Sequence, residues 1–150
     1  MCFVCTGNIC RSPMAEIVFA DALRQEGLAD RVRVSSAGTG SWHVGDPADP
    51  RAAEALRRAG LPSEHVATQV GAQHLSADLL VALDRGHLAA LHRLVGDPER
   101  VVLLRSFDTA AGRDLDVPDP YYGGKHGFDE VLSMVRAAVP GLLAWVRERL

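Results

Sequence analysis

Cys5-Thr6-Gly7-Asn8-Ile9-Cys10-Arg11-Ser12 brings together, near the start of the chain, the groups needed to hold an oxyanion and attack it. The segment follows a short apolar run, Cys2-Phe3-Val4, and precedes a helical pattern, so it reads as strand, tight loop and helix N-terminus. Such a turn aims the backbone N–H groups of Thr6, Gly7, Asn8, Ile9 and Cys10 at one point, where the helix dipole adds positive potential. Gly7 and Asn8 tolerate the left-handed backbone that a cradle of this kind demands. Arg11 offers a planar fork of donors matched to two phosphate oxygens. A free cysteine titrates near ~8.5, and a helix N-terminus with an adjacent cation lowers that by several units. Cys5 is therefore predicted to be a thiolate in line with the phosphorus of a bound phosphate. Ser12 is placed to donate a hydrogen bond to that thiolate and help it leave. Because Arg11 and the amides carry the oxyanion charge, the chemistry requires neither metal nor cofactor.

The elements around this loop set where it sits. Pro13 to Gln25 carries Ala15, Val18, Phe19, Ala22 and Leu23 at the spacing of one helical face, with Gly27 as a stop. Val32 to Ser36 alternates like a strand and leads into a Gly- and Pro-rich loop from Ala37 to Pro50. Ala52 to Ala59 reads as a helix, Leu79 to Leu83 as a strand covered on both faces, Leu88 to Leu94 as a helix and Val101 to Leu104 as another buried strand. A long connection, Asp108 to Gly127, has the length of a functional loop. The last helix, Phe128 to Arg149, contains Pro140-Gly141, predicted to kink or interrupt it.

Alternating strands and helices predict one α/β domain over residues 1–150. It should be a three-layer structure: a central parallel sheet of about four strands, helices on both faces, and a phosphate-binding loop after the first strand. Ligands bind outside the carboxyl ends of such strands, where Cys5 falls. Only four residues precede Cys5, so the first strand should be short, and the length of the native N-terminus stays open.

Composition narrows the partners. A chain of 150 residues that is 47% hydrophobic and 23% charged can close a core, and its net charge of -3 argues against nucleic acid or an anionic membrane as partner. No run approaches the ~20 apolar residues that span a bilayer, and no signal peptide precedes the first strand. The cysteines, Cys2, Cys5 and Cys10, are odd in number and bunched at one end, which suits a reducing, cytoplasmic setting rather than a disulfide framework. Their spacing lacks the second ligand pair of a zinc site. Export by a non-standard route stays open, and a monomer is expected.

The loop resembles that of the low-molecular-weight protein tyrosine phosphatases, whose Cys-x5-Arg-Ser pattern with an internal Gly-Asn is matched at Cys5, Gly7, Asn8, Arg11 and Ser12. Asp119-Pro120-Tyr121-Tyr122-Gly123 looks like that family's general-acid loop, and Ser36-Ala37-Gly38-Thr39 and Leu83-Asp84 extend the likeness over nearly the whole chain. Expelling a phenolate needs a proton donor, and Asp114, Asp116 and Asp119 are comparably plausible on chemistry alone. The resemblance selects Asp119, bracketed by Pro118 and Pro120. It also implies that Trp42 and Tyr121, with Tyr122 beside them, flank the substrate ring, favouring phosphotyrosine in proteins over phosphoserine. It further implies that Asn8, Ser36 and His65 support the loop and that Cys10 can form a protective disulfide with the nucleophile. Tyr121 and Tyr122 would be targets of a partner kinase. Asp84 reads equally as a brace for the loop or a helix cap, and His43 has no assigned role. Inorganic phosphate and other oxyanions should bind as product or inhibitor. A protein arginine phosphatase on the same scaffold is the nearest rival, but Ile9 and the Tyr121-Tyr122 pair favour tyrosine. An arsenate reductase would need a further cysteine pair. A non-catalytic phosphate-binding or phosphoryl-relay module would have no use for Arg11 or Asp119.

Overall fold

The computed structural model describes the backbone of residues 1–150 and every side chain except that of Lys125. Strands β1 (Cys2–Cys5), β2 (Ser35–Gly38), β3 (Leu80–Ala82) and β4 (Val101–Leu103) form one parallel sheet in the order β2-β1-β3-β4. Helices α1 (Arg11–Gln25), α2 (Pro50–Arg58), α3 (Ala72–Leu75), α4 (Arg85–Leu94) and α5 (Lys125–Arg147) make the connections and the outer layers.

The alternation of β1 explains the layers. Phe3 and Cys5 face a core that includes Met14 and Phe19 of α1 and Val131, Val135 and Leu142 of α5. Cys2 and Val4 face the other way, toward Leu80, Ala82 and Leu91. A strand buried on both faces has no polar side to show, which is why its sequence is continuously apolar. From β1 the chain moves to β2 on one side and later reaches β3 on the other. That divergence opens a crevice at the carboxyl ends of β1 and β3, with Cys5 at the end of one and Asp84 just beyond the end of the other.

The expected fold class is observed, with several local differences. The second strand is Ser35–Gly38 rather than Val32 to Ser36, because a strand needs a partner: β1 begins pairing only at Cys2, opposite Ser35. β3 and β4 are shorter than their apolar runs, and α4 starts at Arg85 rather than Leu88. There Asp84 accepts from the His87 N–H and caps the extra turn. Helix α5 spans Lys125–Arg147 rather than Phe128 to Arg149, which shortens the preceding connection. Nor is it interrupted at Pro140. Val135, Ala138, Leu142 and Val146 are all buried on both sides of the proline. At ~1.5–3 kcal/mol for each large buried side chain, they outweigh a proline cost of about 3 kcal/mol. Gly141 has its own reason: a Cβ there would lie 2.3 Å from the Phe107 carbonyl oxygen, so the glycine lets α5 back onto the turn at Leu104–Phe107.

Candidate active site

The loop between β1 and α1 is held in its shape by Asn8, whose φ of 57° is the one left-handed non-glycine backbone among the described residues. Its side chain is fully used. Nδ2 donates to Ser12 Oγ at 2.8 Å and to Ser36 Oγ at 3.0 Å, and Oδ1 accepts the Thr68 N–H at 2.9 Å. His65 Nε2 donates to the Asn8 carbonyl at 2.6 Å. Asn8, Ser36 and His65, predicted as one supporting network, therefore do meet at the loop, joined by Glu16, which accepts from Ser36 Oγ. Gly38 closes the approach from β2: a Cβ there would come within 2.7 Å of the Thr6 carbonyl oxygen.

Ser12 Oγ lies 2.8 Å from Cys5 Sγ. That oxygen accepts from Asn8 and keeps its own proton, and to a Cys5 thiolate, which has none, the Ser12 hydroxyl can only be the donor. Helix α1 begins at Arg11 with no side-chain cap from Cys10 and no acidic residue in its first turn, so its first N–H groups and its dipole face the loop uncompensated. Burial pushes the Cys10 thiol up to about 12.

Arg11 is buried and fixed. Nη1 donates to Asp84 Oδ2 at 2.8 Å and to the Val117 carbonyl at 2.9 Å, while Nη2 lies 3.5 Å from Thr6 Oγ1 and 3.8 Å from Asp119 Oδ2. Asp84 is thus both the cap and the brace that the sequence left as alternatives. Burial opposes its ionisation, yet His87 and the Arg11 guanidinium hold its carboxyl below the usual range.

Asp119 lines the cavity that opens on Cys5, with an accessible side chain whose Oδ1 accepts the Tyr121 N–H at 3.1 Å. The rival carboxylates are engaged elsewhere: Asp116 takes the Arg85 N–H, and Asp114 takes the N–H of Asp116. The cavity is about 430 Å³ and is walled by Ile9, Cys10, Trp42, His43, Tyr121 and Tyr122 as well as by the loop. The aromatics are not equivalent. Tyr121, 39% exposed, is fixed between Tyr122 and His43 and under Arg51, whereas Trp42 and Tyr122, 76% and 90% exposed, stand largely in solvent at the rim.

Two residues were missed from sequence. Arg51 pairs with Asp49 and donates to the carbonyls of Tyr121 at 2.9 Å and Gly123 at 3.1 Å, pinning the segment after Asp119. Asp49 is itself bonded through its N–H to the Ile9 carbonyl, so the acid loop and the phosphate-type loop are tied together. The signal was Asp49-Pro50-Arg51, a helix start with a basic residue where an acidic one is usual. His87 is buried at the foot of the site, with Nε2 2.8 Å from Thr6 Oγ1. Burial pushes its imidazole down to about 4 against the opposing pull of Asp84. Its signal was the cap-and-return spacing Asp84-x-x-His87.

A family model described as low molecular weight phosphotyrosine protein phosphatase matches residues 1–150. The chain is 60% identical over 149 residues to low molecular weight protein-tyrosine phosphatase A of Mycobacterium tuberculosis, covering 99% of this chain and 91% of that one. The fold is similar to the protein tyrosine phosphatase of Entamoeba histolytica crystallised with Hepes in the active site (TM-score 0.93, 31% identity, 98% and 96% of the two chains). It is also similar to a Drosophila arginine phosphatase (TM-score 0.89, 29% identity, 97% and 96%).

Proposed function

This chain belongs to the low molecular weight phosphotyrosine protein phosphatase family, and on that premise we propose that it hydrolyses phosphotyrosine in proteins through a phosphocysteine formed on Cys5. One observation carries the reading: Cys5, Arg11 and Asp119 open onto a single cavity, walled by aromatic side chains. In the first step Cys5 Sγ attacks phosphorus, the S–P bond forms as the P–O bond to the tyrosine breaks, and Asp119 gives its proton to the departing phenolate. In the second, water attacks the phosphocysteine, Asp119 takes a proton from it, and the thiolate leaves toward the Ser12 hydroxyl. Arg11 and the amides of Thr6, Gly7, Asn8, Ile9 and Cys10 hold the equatorial oxygens, so no metal is required for charge stabilisation. Arg11 is already oriented by Asp84, and the donors reorganise little as the charge moves.

Tyr121 is the held wall for the substrate ring, with Tyr122 packed edge-on against it and Trp42 lying against Gly40 at the rim. Ile9 and these aromatics favour an aryl phosphate over phosphoarginine. A cytoplasmic setting and a monomeric state belong to the same proposal. The first is supported by an odd number of cysteines bunched at one end, which is no disulfide framework, and the second by a cavity built within one chain.

Trapping tests the scheme. Rapid quenching of Asp119→Ala with p-nitrophenyl phosphate, whose leaving group needs little protonation while hydrolysis of the intermediate still lacks its base, should leave one phosphoryl group on the Cys5 peptide by mass spectrometry. Label on any other residue, or none at stoichiometric enzyme, would rule the intermediate out.

A further inference from the structure

Thr6 and His87 form a pair that the scheme above does not use. His87 Nδ1 lies 3.2 Å from the Asp84 N–H, and among the described residues that N–H has no other acceptor. Asp84 Oδ1 is also 3.2 Å from Nδ1, but it is taken by the His87 N–H, and the aligned hydrogen bond at Nδ1 is the one from the Asp84 N–H, so Nδ1 is the accepting nitrogen and the proton of the neutral ring sits on Nε2. Burial, joined by the Arg11 charge, favours that neutral form against Asp84, Asp119 and Asp116, the carboxylates that act on the ring. Nε2–H therefore donates to Thr6 Oγ1 at 2.8 Å, and Arg11 Nη2 approaches the same oxygen at 3.5 Å. A hydroxyl accepting from two donors has its own proton left to give. No described residue accepts it, and Thr6 is an exposed residue lining the cavity.

We infer that His87 orients Thr6 so that the Thr6 hydroxyl donates to an oxygen of the bound phosphoryl group, making Thr6 a phosphate ligand through its side chain and His87 its positioning residue. The inference rests on the phosphate site proposed for this loop. A hydrogen bond to a charged acceptor is strong and directional, and His87 fixes its direction before the ligand arrives.

The test is a double-mutant cycle with Thr6→Val and His87→Leu. It is read as kcat/KM on a phosphotyrosine peptide and, separately, as the Kd of inorganic phosphate by calorimetry. Each single substitution should weaken phosphate binding and kcat/KM about tenfold or more. His87→Leu should cost almost nothing further once Thr6 is valine. Thr6→Ser should retain most of the affinity, and His87→Gln, whose amide can donate from the Nε2 position, should recover part of it. An equal loss from His87→Leu in the presence and absence of the Thr6 hydroxyl would overturn the inference, as would Thr6→Val binding phosphate like the wild type. If His87→Leu does not fold, Thr6→Val against Thr6→Ser still decides whether the hydroxyl is a ligand, and His87→Gln in both Thr6 backgrounds decides the coupling. The phosphate readout holds even for a chain with no phosphotyrosine turnover, so failure of the inference is distinct from failure of the phosphatase reading.

Discussion

Replacing Asn8 with alanine should remove much of the stability of the whole domain. The side chain makes three hydrogen bonds, two donated to Ser12 and Ser36 and one accepted from Thr68. At ~1 kcal/mol net for each, the loss is about 3 kcal/mol. Alanine at φ 57° adds roughly 1 kcal/mol that asparagine largely avoids. A total near 4 kcal/mol is a large share of the ~5–15 kcal/mol that holds a domain together. Asn8→Gly loses the same bonds but not the backbone penalty, so it should be about 1 kcal/mol less damaging. Urea unfolding at pH 7 measures both. The folded fraction of either variant should also show a lower kcat, because Ser12 is no longer held by Asn8 beside Cys5. If both variants unfold within 1 kcal/mol of the wild type, the account of how the loop is held is wrong.

Further outcomes follow from the same geometry. Asp119→Asn should lower kcat on a phosphotyrosine peptide by roughly 10²–10⁴-fold, and by much less on p-nitrophenyl phosphate, whose leaving group needs little protonation; equal losses would remove Asp119 from the role of acid. Acid should destabilise the fold. With His87 at about 4 when folded against an ordinary 6.5, the unfolded chain binds the extra proton between those values, so stability is complete above about pH 6.5 and falls as pH drops toward 4. The loss is roughly 3 kcal/mol, and the depressed Asp84 extends it below the usual carboxylate range. Unfolding midpoints in urea that stay level from pH 7 to 4.5 would contradict this. Peroxide should oxidise Cys5 to a sulfenic acid, which the Cys10 thiol converts to a disulfide with release of water. Mass spectrometry should find a Cys5–Cys10 crosslink reversed by dithiothreitol, and a sulfonic acid on Cys5 in its place would refute it.

The loop was legible because its chemistry demands contiguous residues: a strand end, small residues that turn, an arginine and a helix start. Asp119 was singled out only through resemblance, since three carboxylates share one segment. What separates them is long-range, the Arg85 N–H that occupies Asp116 and the cavity that Asp119 faces. The second strand was misplaced because Val32 to Val34 alternates convincingly and nothing local says where its partner begins. Pro140 misled for the opposite reason: its local penalty is real, but burial on both sides of it is larger. Arg51 and His87 stayed hidden because their partners are backbone groups and a loop hydroxyl distant in sequence. A basic residue on a helix and a histidine near a cap carry no such information by themselves.

The most direct test of the central claim is phosphate release from matched phosphotyrosine and phosphoarginine peptides in EDTA, with Cys5→Ser as the blank. The account predicts phosphotyrosine turnover that survives EDTA, exceeds that of phosphoarginine and vanishes in the variant. Preference for phosphoarginine would contradict the reading of Ile9 and the aromatic walls, and turnover retained without the Cys5 thiol would contradict the mechanism itself.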